Sequence, residues 1–169
     1  RTRIISGFIL FFYAATHLLN HSLATFSIST ADAAREYFIA FWRNPVAEIF
    51  LFVSFAVHIL LGIQAVLRRK SFKMTKREWL QMTFPFVALL ALIPHILTTA
   101  ILSRVFAVTD NYELIFAATL VDPAKASSNV IFFSLMVVLI WTHGVIGIHG
   151  LLQTKPLYAR LRQTIIGFY

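Results

Sequence analysis

Four long apolar stretches, separated by polar segments, dominate the pattern of the chain. None contains Asp, Glu, Lys or Arg, and they cover residues 4–26, 49–67, 79–103 and 126–154. Each reaches the roughly 17–25 residues that a membrane-spanning helix needs. The apolar positions are continuous and do not alternate, unlike those in the strands of a membrane β-barrel. The pattern therefore predicts an all-α integral membrane protein, a bundle of four transmembrane helices.

The composition excludes a soluble globular protein and several kinds of site. Of the 169 residues, 59% are hydrophobic and 13% are charged, whereas a soluble domain is about 45–50% apolar and about 25% charged. The chain has no cysteine, which excludes disulfide frameworks, thiolate zinc sites, iron–sulfur clusters and cysteine nucleophiles.

Basic residues are concentrated in alternate connections. Eleven of the 15 lysines and arginines lie before the first stretch, between the second and the third, or after the fourth. Because basic residues favour the cytoplasmic side of a membrane, we expect both termini in the cytoplasm. Orientation and contact with lipid headgroups explain the net charge of +8, and no nucleic-acid partner is expected.

Residues 1–154 are predicted to form one four-helix transmembrane domain. Residues 155–169 are expected to form a cytoplasmic exit and the start of a truncated fifth helix, because the sequence becomes apolar again at Ile165. Thr75 is the predicted N-cap of the third span. The segment from Tyr112 to Phe116 is expected to lie as an amphipathic helix on the outer membrane surface.

All six histidines lie inside the four apolar stretches: His17, His21, His58, His95, His143 and His149. An ionisable side chain near the bilayer centre costs at least about 2.5 kcal/mol, so each histidine needs a partner. Depth is counted at about 1.5 Å per residue from the cytoplasmic end of each stretch. His58 and His143 lie about 14–16 Å deep, and His149 lies about 8 Å deep. The other three, His17, His21 and His95, lie about 20–26 Å deep. The histidines therefore form an inner and an outer layer.

Two layers of imidazoles favour haem over other metal cofactors. A b-type haem needs one axial histidine on each face, from two helices at similar height. Zinc needs four converging ligands, which no cysteine or intramembrane carboxylate completes here, and copper fits two separate depths less well. Gly62 and Gly147 each follow a histidine of the inner layer by four residues, which leaves bare backbone on the same face for haem packing.

Three runs and two shorter features carry a family resemblance: HLLNHSLA at 17–24, FAVHILLG at 55–62, WTHGVIG at 141–147, Pro94-His95 and His149. In this order they resemble the dihaem cytochrome b membrane anchor of succinate dehydrogenases and fumarate reductases. The motifs are more similar to the form of that anchor that is fused to bacterial class III adenylate cyclases. The similarity covers nearly the whole chain.

The resemblance implies two haem b groups with bis-histidine ligation. His58 and His143 would hold the inner haem, and His17 and His95 the outer haem, although depth alone leaves His21 open as an alternative to His17. His149 lies six residues after His143, which is about 240° around the helix. We therefore expect His149 to contact a haem propionate or a quinone and not to replace His143 as a ligand.

The implied function is electron exchange with the quinone pool of a bacterial inner membrane. The chain would be the redox sensor and regulatory anchor of a cytoplasmic adenylate cyclase, with no catalytic activity of its own. It would be a homodimer, because the catalytic sites of such cyclases form between two chains. A quinone site near the outer haem is expected at His21, Asp110 and Tyr112.

The alternative is the cytochrome b anchor subunit of a respiratory complex of the succinate dehydrogenase or fumarate reductase type, which needs soluble redox subunits. We expect four spans where single-chain respiratory anchors have five, and residues 1–169 include no cyclase sequence. Two further classes are a proton pathway through the histidines and a haem-free structural anchor. The proton pathway lacks the intramembrane Asp, Glu, Lys or Arg that such relays use.

Overall fold

A computed structural model describes residues 1–107, 111–153, 155, 156 and 158 of the chain. In these residues the regular structure is helical: α1 (Thr2–Ser22), α2 (Ile28–Trp42), α3 (Pro45–Leu67), α4 (Lys76–Ile96), α5 (Ser103–Val105), α6 (Tyr112–Leu120) and α7 (Pro123–Leu152). A 3₁₀ turn, Leu23–Thr25, follows α1, and a π-helical turn, Leu97–Leu102, joins α4 to α5.

Four helices, α1, α3, α4 and α7, are long and apolar enough to cross a membrane. They and the turns that extend them cover Thr2–Thr25, Pro45–Leu67, Lys76–Ile101 and Pro123–Leu152. The prediction of an all-helical chain with four candidate spans is confirmed. The predicted fifth helix lies outside the described residues, apart from residues 155, 156 and 158.

The surface of the long helices is apolar, and several polar side chains point inward. Leu90 and Ile131 are 74% and 67% exposed, whereas Ser6, Asn20 and Ser54 are buried. A soluble protein has the opposite tendency. In lipid, apolar side chains face the hydrocarbon and polar groups find partners inside the bundle. The distribution of side chains therefore supports a membrane location.

A capping box fixes the start of α4. The Thr75 hydroxyl accepts a hydrogen bond from the backbone N–H of Glu78 at 3.3 Å. The Glu78 carboxylate accepts one in return from the backbone N–H of Thr75 at 2.9 Å. This reciprocal arrangement satisfies two N–H groups that a helix start otherwise leaves free. The predicted N-cap of the third span is confirmed.

Two shorter helices, α2 and α6, cover the end of the bundle opposite the basic connection between α3 and α4. A helix forms at Tyr112 to Phe116 as predicted and continues to Leu120, but apolar residues occur on all sides of it, so it is not amphipathic as expected. The sequence analysis did not predict α2. The indole N–H of Trp42 in α2 donates to the Thr16 hydroxyl of α1 at 3.0 Å. We call this end, formed by α2 and α6, the capped end, and the opposite end the basic end.

The four long helices pack as two pairs, α1 with α3 and α4 with α7. The pairs also meet where α1 touches α7. There the rings of Phe11 and Trp141 lie 5.1 Å apart between centres, and Gly144 of α7 faces the Phe11 ring. A Cβ on Gly144 would lie 2.6 Å from that ring, so this close approach requires glycine. The space between the two helix pairs contains the candidate site.

Helix α4 is irregular on both sides of its histidine. Pro85 and Pro94 lie inside the helix. Because proline has no backbone N–H, the carbonyl four residues before each proline, that of Gln81 in the first case, loses its helical donor. Beyond His95 the helix widens into the π-turn Leu97–Leu102. Such wider turns are frequent at functional sites.

Candidate functional site

A long cavity of about 1720 Å³ runs between the two helix pairs. Five of the six histidines line it: His17, His21, His58, His95 and His143. Sites for a single small ligand usually measure about 300–1,000 Å³. The cavity is therefore large enough for more than one cofactor.

Four of the five histidines of the cavity form two pairs, and each of these pairs joins one helix pair to the other. His58 of α3 faces His143 of α7 with ring centres 6.2 Å apart. His17 of α1 faces His95 of α4 with ring centres 6.0 Å apart. The structure therefore brings together the four histidines that the resemblance pairs as inner and outer ligands.

The two histidine pairs lie at different heights in the bundle. The His58 ring packs against Gly7 of α1, where a Cβ would lie 3.1 Å from the ring carbon Cε1. His17 is ten residues further along the same helix, which corresponds to about 15 Å. The inner pair lies toward the basic end, and the outer pair lies toward the capped end. This agrees with the two predicted layers.

The ring separations suit two imidazoles on opposite sides of one metal ion. A bond from a metal ion to an imidazole nitrogen is about 2.0–2.1 Å, and a ring centre lies about 1.2 Å from its nitrogen. The centres of two rings on opposite sides of one ion therefore lie about 6.3–6.5 Å apart, within a few tenths of an ångström of both separations. A haem iron needs only two protein ligands, because the porphyrin supplies the other four. In the described residues, no three or more His, Asp or Glu side chains form a group that could hold a bare ion. The residues of the cavity therefore fit haem better than zinc.

A serine sets the tautomer of His58. The Ser6 hydroxyl donates to the backbone carbonyl of Arg3 at 3.1 Å, and its oxygen lies 3.2 Å from Nδ1 of His58. Since the hydroxyl proton is already used, Ser6 accepts from His58, which carries its proton on Nδ1. The Nε2 atom of His58 is then left with the lone pair that a metal ligand needs.

A chain of hydrogen bonds from α6 sets the tautomers at the outer pair. The Asn20 amide donates to the Tyr112 hydroxyl at 2.6 Å, and that hydroxyl lies 3.1 Å from Nδ1 of His21. Tyr112 therefore donates to His21, which carries its proton on Nε2 and donates it to Nε2 of His17, 3.0 Å away. The lone pair on Nε2 of His17 is used by this hydrogen bond, so a metal ion bound there would displace His21, and the network does not decide between the two histidines.

Tyr112 keeps its role as a donor because it is enclosed. Its side chain is 4% exposed, and burial raises the pKa of the Tyr112 hydroxyl above its usual 10.0. The backbone N–H of Tyr112 also donates to the Asp32 carboxylate of α2 at 2.8 Å. The capped end is thereby linked through one side chain to the histidines of the cavity.

Two buried side-chain atoms in the described part of the chain have no hydrogen-bond partner, Nδ1 of His143 and Oε1 of Gln81. They lie on α7 and α4, the two helices of one pair. The inner pair is therefore asymmetric, because His58 has a hydrogen-bond partner on its Nδ1 and His143 does not.

The remaining predicted site residues have mixed outcomes. Gly62 lines the cavity with open space where a Cβ would stand, whereas Gly147 faces the Gln81 amide, whose Nε2 would lie 3.2 Å from a Cβ there. The structure does not bring His149 to the cavity, and its Nδ1 pairs with the Tyr158 hydroxyl at 2.7 Å. Asp110 lies outside the described residues.

Several residues of the site were not predicted from the sequence. Ser6, Asn20 and Gln81 are polar positions inside apolar stretches. Among such positions, only the histidines were predicted to belong to the site. Gly7 gave no comparable signal, because its contact with His58 depends on the packing of α1 against α3. The arginines that line the cavity also emerge only from the fold: Arg3, Arg69 and Arg77.

No protein-family model, no curated protein and no solved structure matches this chain. The geometry of the cavity and the resemblance of the sequence motifs therefore carry the functional argument.

Proposed function

We propose that this chain is a membrane redox domain that binds two b-type haems and exchanges electrons with membrane quinones. The observation that carries the proposal is one cavity with two histidine pairs, each bridging the two halves of the bundle, with ring centres 6.2 Å and 6.0 Å apart. When bound, haem supplies one-electron redox chemistry. The protein supplies the ligands, the apolar surroundings and the charges at the two ends.

His58 with His143 hold the inner haem in this proposal, and His17 with His95 hold the outer haem. The hydrogen bond from His58 to Ser6 supports the first assignment, since it leaves Nε2 of His58 free to bind iron. The facing rings of His17 and His95, with centres 6.0 Å apart, support the second assignment. The two haems lie at the two heights of the cavity, toward opposite membrane surfaces.

The basic end of the cavity suits the carboxylates of a porphyrin. Arg3, Arg69 and Arg77 line it. Arg69 pairs with Glu78 at 3.5 Å, whereas the guanidinium of Arg77 donates to neutral groups, the Gln153 amide at 3.0 Å among them. The three arginines and one carboxylate leave positive charge beside the inner pair. Charge-assisted hydrogen bonds from arginine to carboxylate are among the stronger ones in proteins.

The capped end supports the quinone part of the proposal. Tyr112 and His21 place a hydroxyl and an imidazole beside the outer pair, in a cavity with otherwise mainly apolar walls. Both donors are paired within the chain, Tyr112 with His21 and His21 with His17, so a quinone carbonyl would replace one of these hydrogen bonds. A quinone needs such polar donors for its carbonyl oxygens and an apolar surface for its ring. These two residues are the proposed contacts, and they lie where a ring can approach the outer haem.

The sensory role rests on the sequence resemblance. We place the chain in a bacterial inner membrane with both termini in the cytoplasm, as a homodimer that transmits the redox state of quinones to an adenylate cyclase. The basic connections support this orientation. The test is cyclase activity in membranes where this domain is joined to a cyclase. Activity should change when quinol replaces quinone, and this response should disappear in His17→Ala.

Replacing the ligands one at a time tests the haem assignment. We expect His58→Ala and His143→Ala each to lose the inner haem and keep the outer one, and His17→Ala and His95→Ala to do the reverse. The measurements are the haem content and the reduced-minus-oxidised spectrum of each purified variant. His149→Ala is the matched control and should retain both haems. Loss of the outer haem in His21→Ala together with its retention in His17→Ala would contradict the assignment.

A further inference from the structure

His143 lacks the support that a histidine ligand usually has. A ligating histidine normally donates its second ring N–H to a carboxylate, a carbonyl or a water, which orients the ring and raises its basicity. His58 makes such a bond with Ser6 at 3.2 Å. The Nδ1 atom of His143 is buried and makes no hydrogen bond, so a donor at this position needs an acceptor nearby.

The neighbouring helix offers an acceptor at this position. The His143 ring faces the backbone carbonyl of Gln81 in α4. Pro85 lies four residues after Gln81 inside the same helix. In a regular helix the N–H of residue 85 would donate to that carbonyl, but proline has no N–H. A helical carbonyl without its normal donor therefore lies beside a ring whose Nδ1 atom has no partner.

We infer that Pro85 is a positioning residue for the inner haem, because it leaves the Gln81 carbonyl free to accept a hydrogen bond from the Nδ1–H group of His143. This inference rests on the proposed haem ligation. A histidine that binds metal through Nε2 carries its proton on Nδ1. In this proposal the Gln81 carbonyl accepts a hydrogen bond from that N–H group and so fixes the orientation of the ring. An interior proline usually destabilises a helix, so its presence at the height of the inner pair has a function in this account.

The consequence is a lower reduction potential for the inner haem. A carbonyl that accepts a hydrogen bond from Nδ1 makes the imidazole a stronger electron donor to iron. A stronger electron donor favours the ferric state. Restoring an N–H at position 85 ties up the Gln81 carbonyl and weakens this effect. The inner potential should then rise, and each tenfold change in the one-electron equilibrium corresponds to about 59 mV. The outer potential should not change.

The test is a redox titration of Pro85→Ala, followed by the spectra of the two haems. We expect both haems to be retained, with an upward shift of the inner potential alone. Pro94→Ala is the matched control, because it makes the same chemical change nine residues further along α4. It should leave the inner potential unchanged. An unchanged inner potential in Pro85→Ala, or an equal shift of it in Pro94→Ala, would overturn the inference.

A second variant separates the carbonyl from the side chain of the same residue. Gln81→Met removes the unpartnered Oε1 atom and keeps the backbone carbonyl, so the inner potential should stay near that of the unmodified protein. A shift in Gln81→Met without one in Pro85→Ala would overturn the inference and make the side chain the acceptor. A protein that binds no haem at all would instead refute the proposed function.

A third measurement does not depend on Pro85→Ala folding. In the unmodified protein labelled with ¹³C at the carbonyl of glutamine, the redox difference infrared spectrum should contain an isotope-shifted carbonyl band from Gln81. The band should be lost in Gln81→Asn, which carries no label at this position. Absence of any such band in the unmodified protein would refute the inference even if the proline variant were unstable.

Discussion

Replacing Tyr112 by phenylalanine tests whether the capped end holds the histidines of the cavity in place. The Tyr112 hydroxyl accepts from Asn20 at 2.6 Å and lies 3.1 Å from His21, to which it donates. Phenylalanine keeps the ring and removes both hydrogen bonds. The Asn20 side chain is enclosed, with the residue 6% exposed, so water does not readily replace the lost partner.

The expected cost follows from two polar atoms left without partners. A buried donor or acceptor that loses its partner costs about 1–3 kcal/mol, so the two atoms give about 2–6 kcal/mol before the structure relaxes. His21 lines the cavity and regains part of its hydrogen bonding, which favours the lower part of this range, about 2–3 kcal/mol. For a chain of this length, each kcal/mol lowers Tm by about 2–4 °C, so we expect a fall of about 4–12 °C.

The assay is thermal unfolding of the purified variants in the same detergent, followed by circular dichroism. Tyr37→Phe is the matched control, because Tyr37 is 81% exposed, and it should change stability by no more than about 0.5 kcal/mol. In the double variant with Asn20→Leu, both partners of the shorter hydrogen bond are removed, so the second change should cost less than it does alone. A Tm for Tyr112→Phe equal to that of Tyr37→Phe would refute the proposed link between α6 and the histidines.

Three further outcomes are expected from thermal unfolding. Gly144→Ala places a Cβ 2.6 Å from the Phe11 ring and should destabilise the chain by about 1–3 kcal/mol; an unchanged Tm would show that α1 and α7 are not tightly packed there. Thr75→Ala loses the capping box with Glu78 and should cost about 1 kcal/mol, whereas no loss would show that the cap contributes nothing. The pKa of Tyr112 is raised from 10.0 by burial, so the unfolded state releases this proton first and stability should fall as pH rises above about 10. This alkaline fall should be smaller in Tyr112→Phe, and an identical pH profile for both proteins would contradict it.

The spans and the paired histidines were accessible from the sequence because they depend on local properties. A membrane helix must satisfy its own backbone and present apolar side chains to lipid, so each span is visible as an uncharged stretch. Depth along a helix is also a local quantity, since each residue adds a fixed rise. For this reason the counts placed His58 at the height of His143, and both His17 and His21 near the height of His95, with His21 slightly nearer.

Features that depend on packing between distant segments were not accessible. The helix α2 contains charged residues and no long apolar stretch, so its place against α1 depends on contacts such as that of Trp42 with Thr16. The hydrogen bonding of His21 depends on Tyr112, which is more than 90 residues away in the chain. Likewise, Gly147 lines the cavity, but its close approach to the Gln81 amide depends on the packing of α4 on α7.

The haem content of the purified chain tests the central claim most directly. The chain should be produced with an ample supply of haem, and its haem and protein should be quantified together with the electron paramagnetic resonance spectrum of the oxidised form. The account predicts two haem b groups per chain, both low-spin with two imidazole ligands. A correctly folded but colourless chain, or a haem signal that survives replacement of His17, His58, His95 and His143 together, would contradict it.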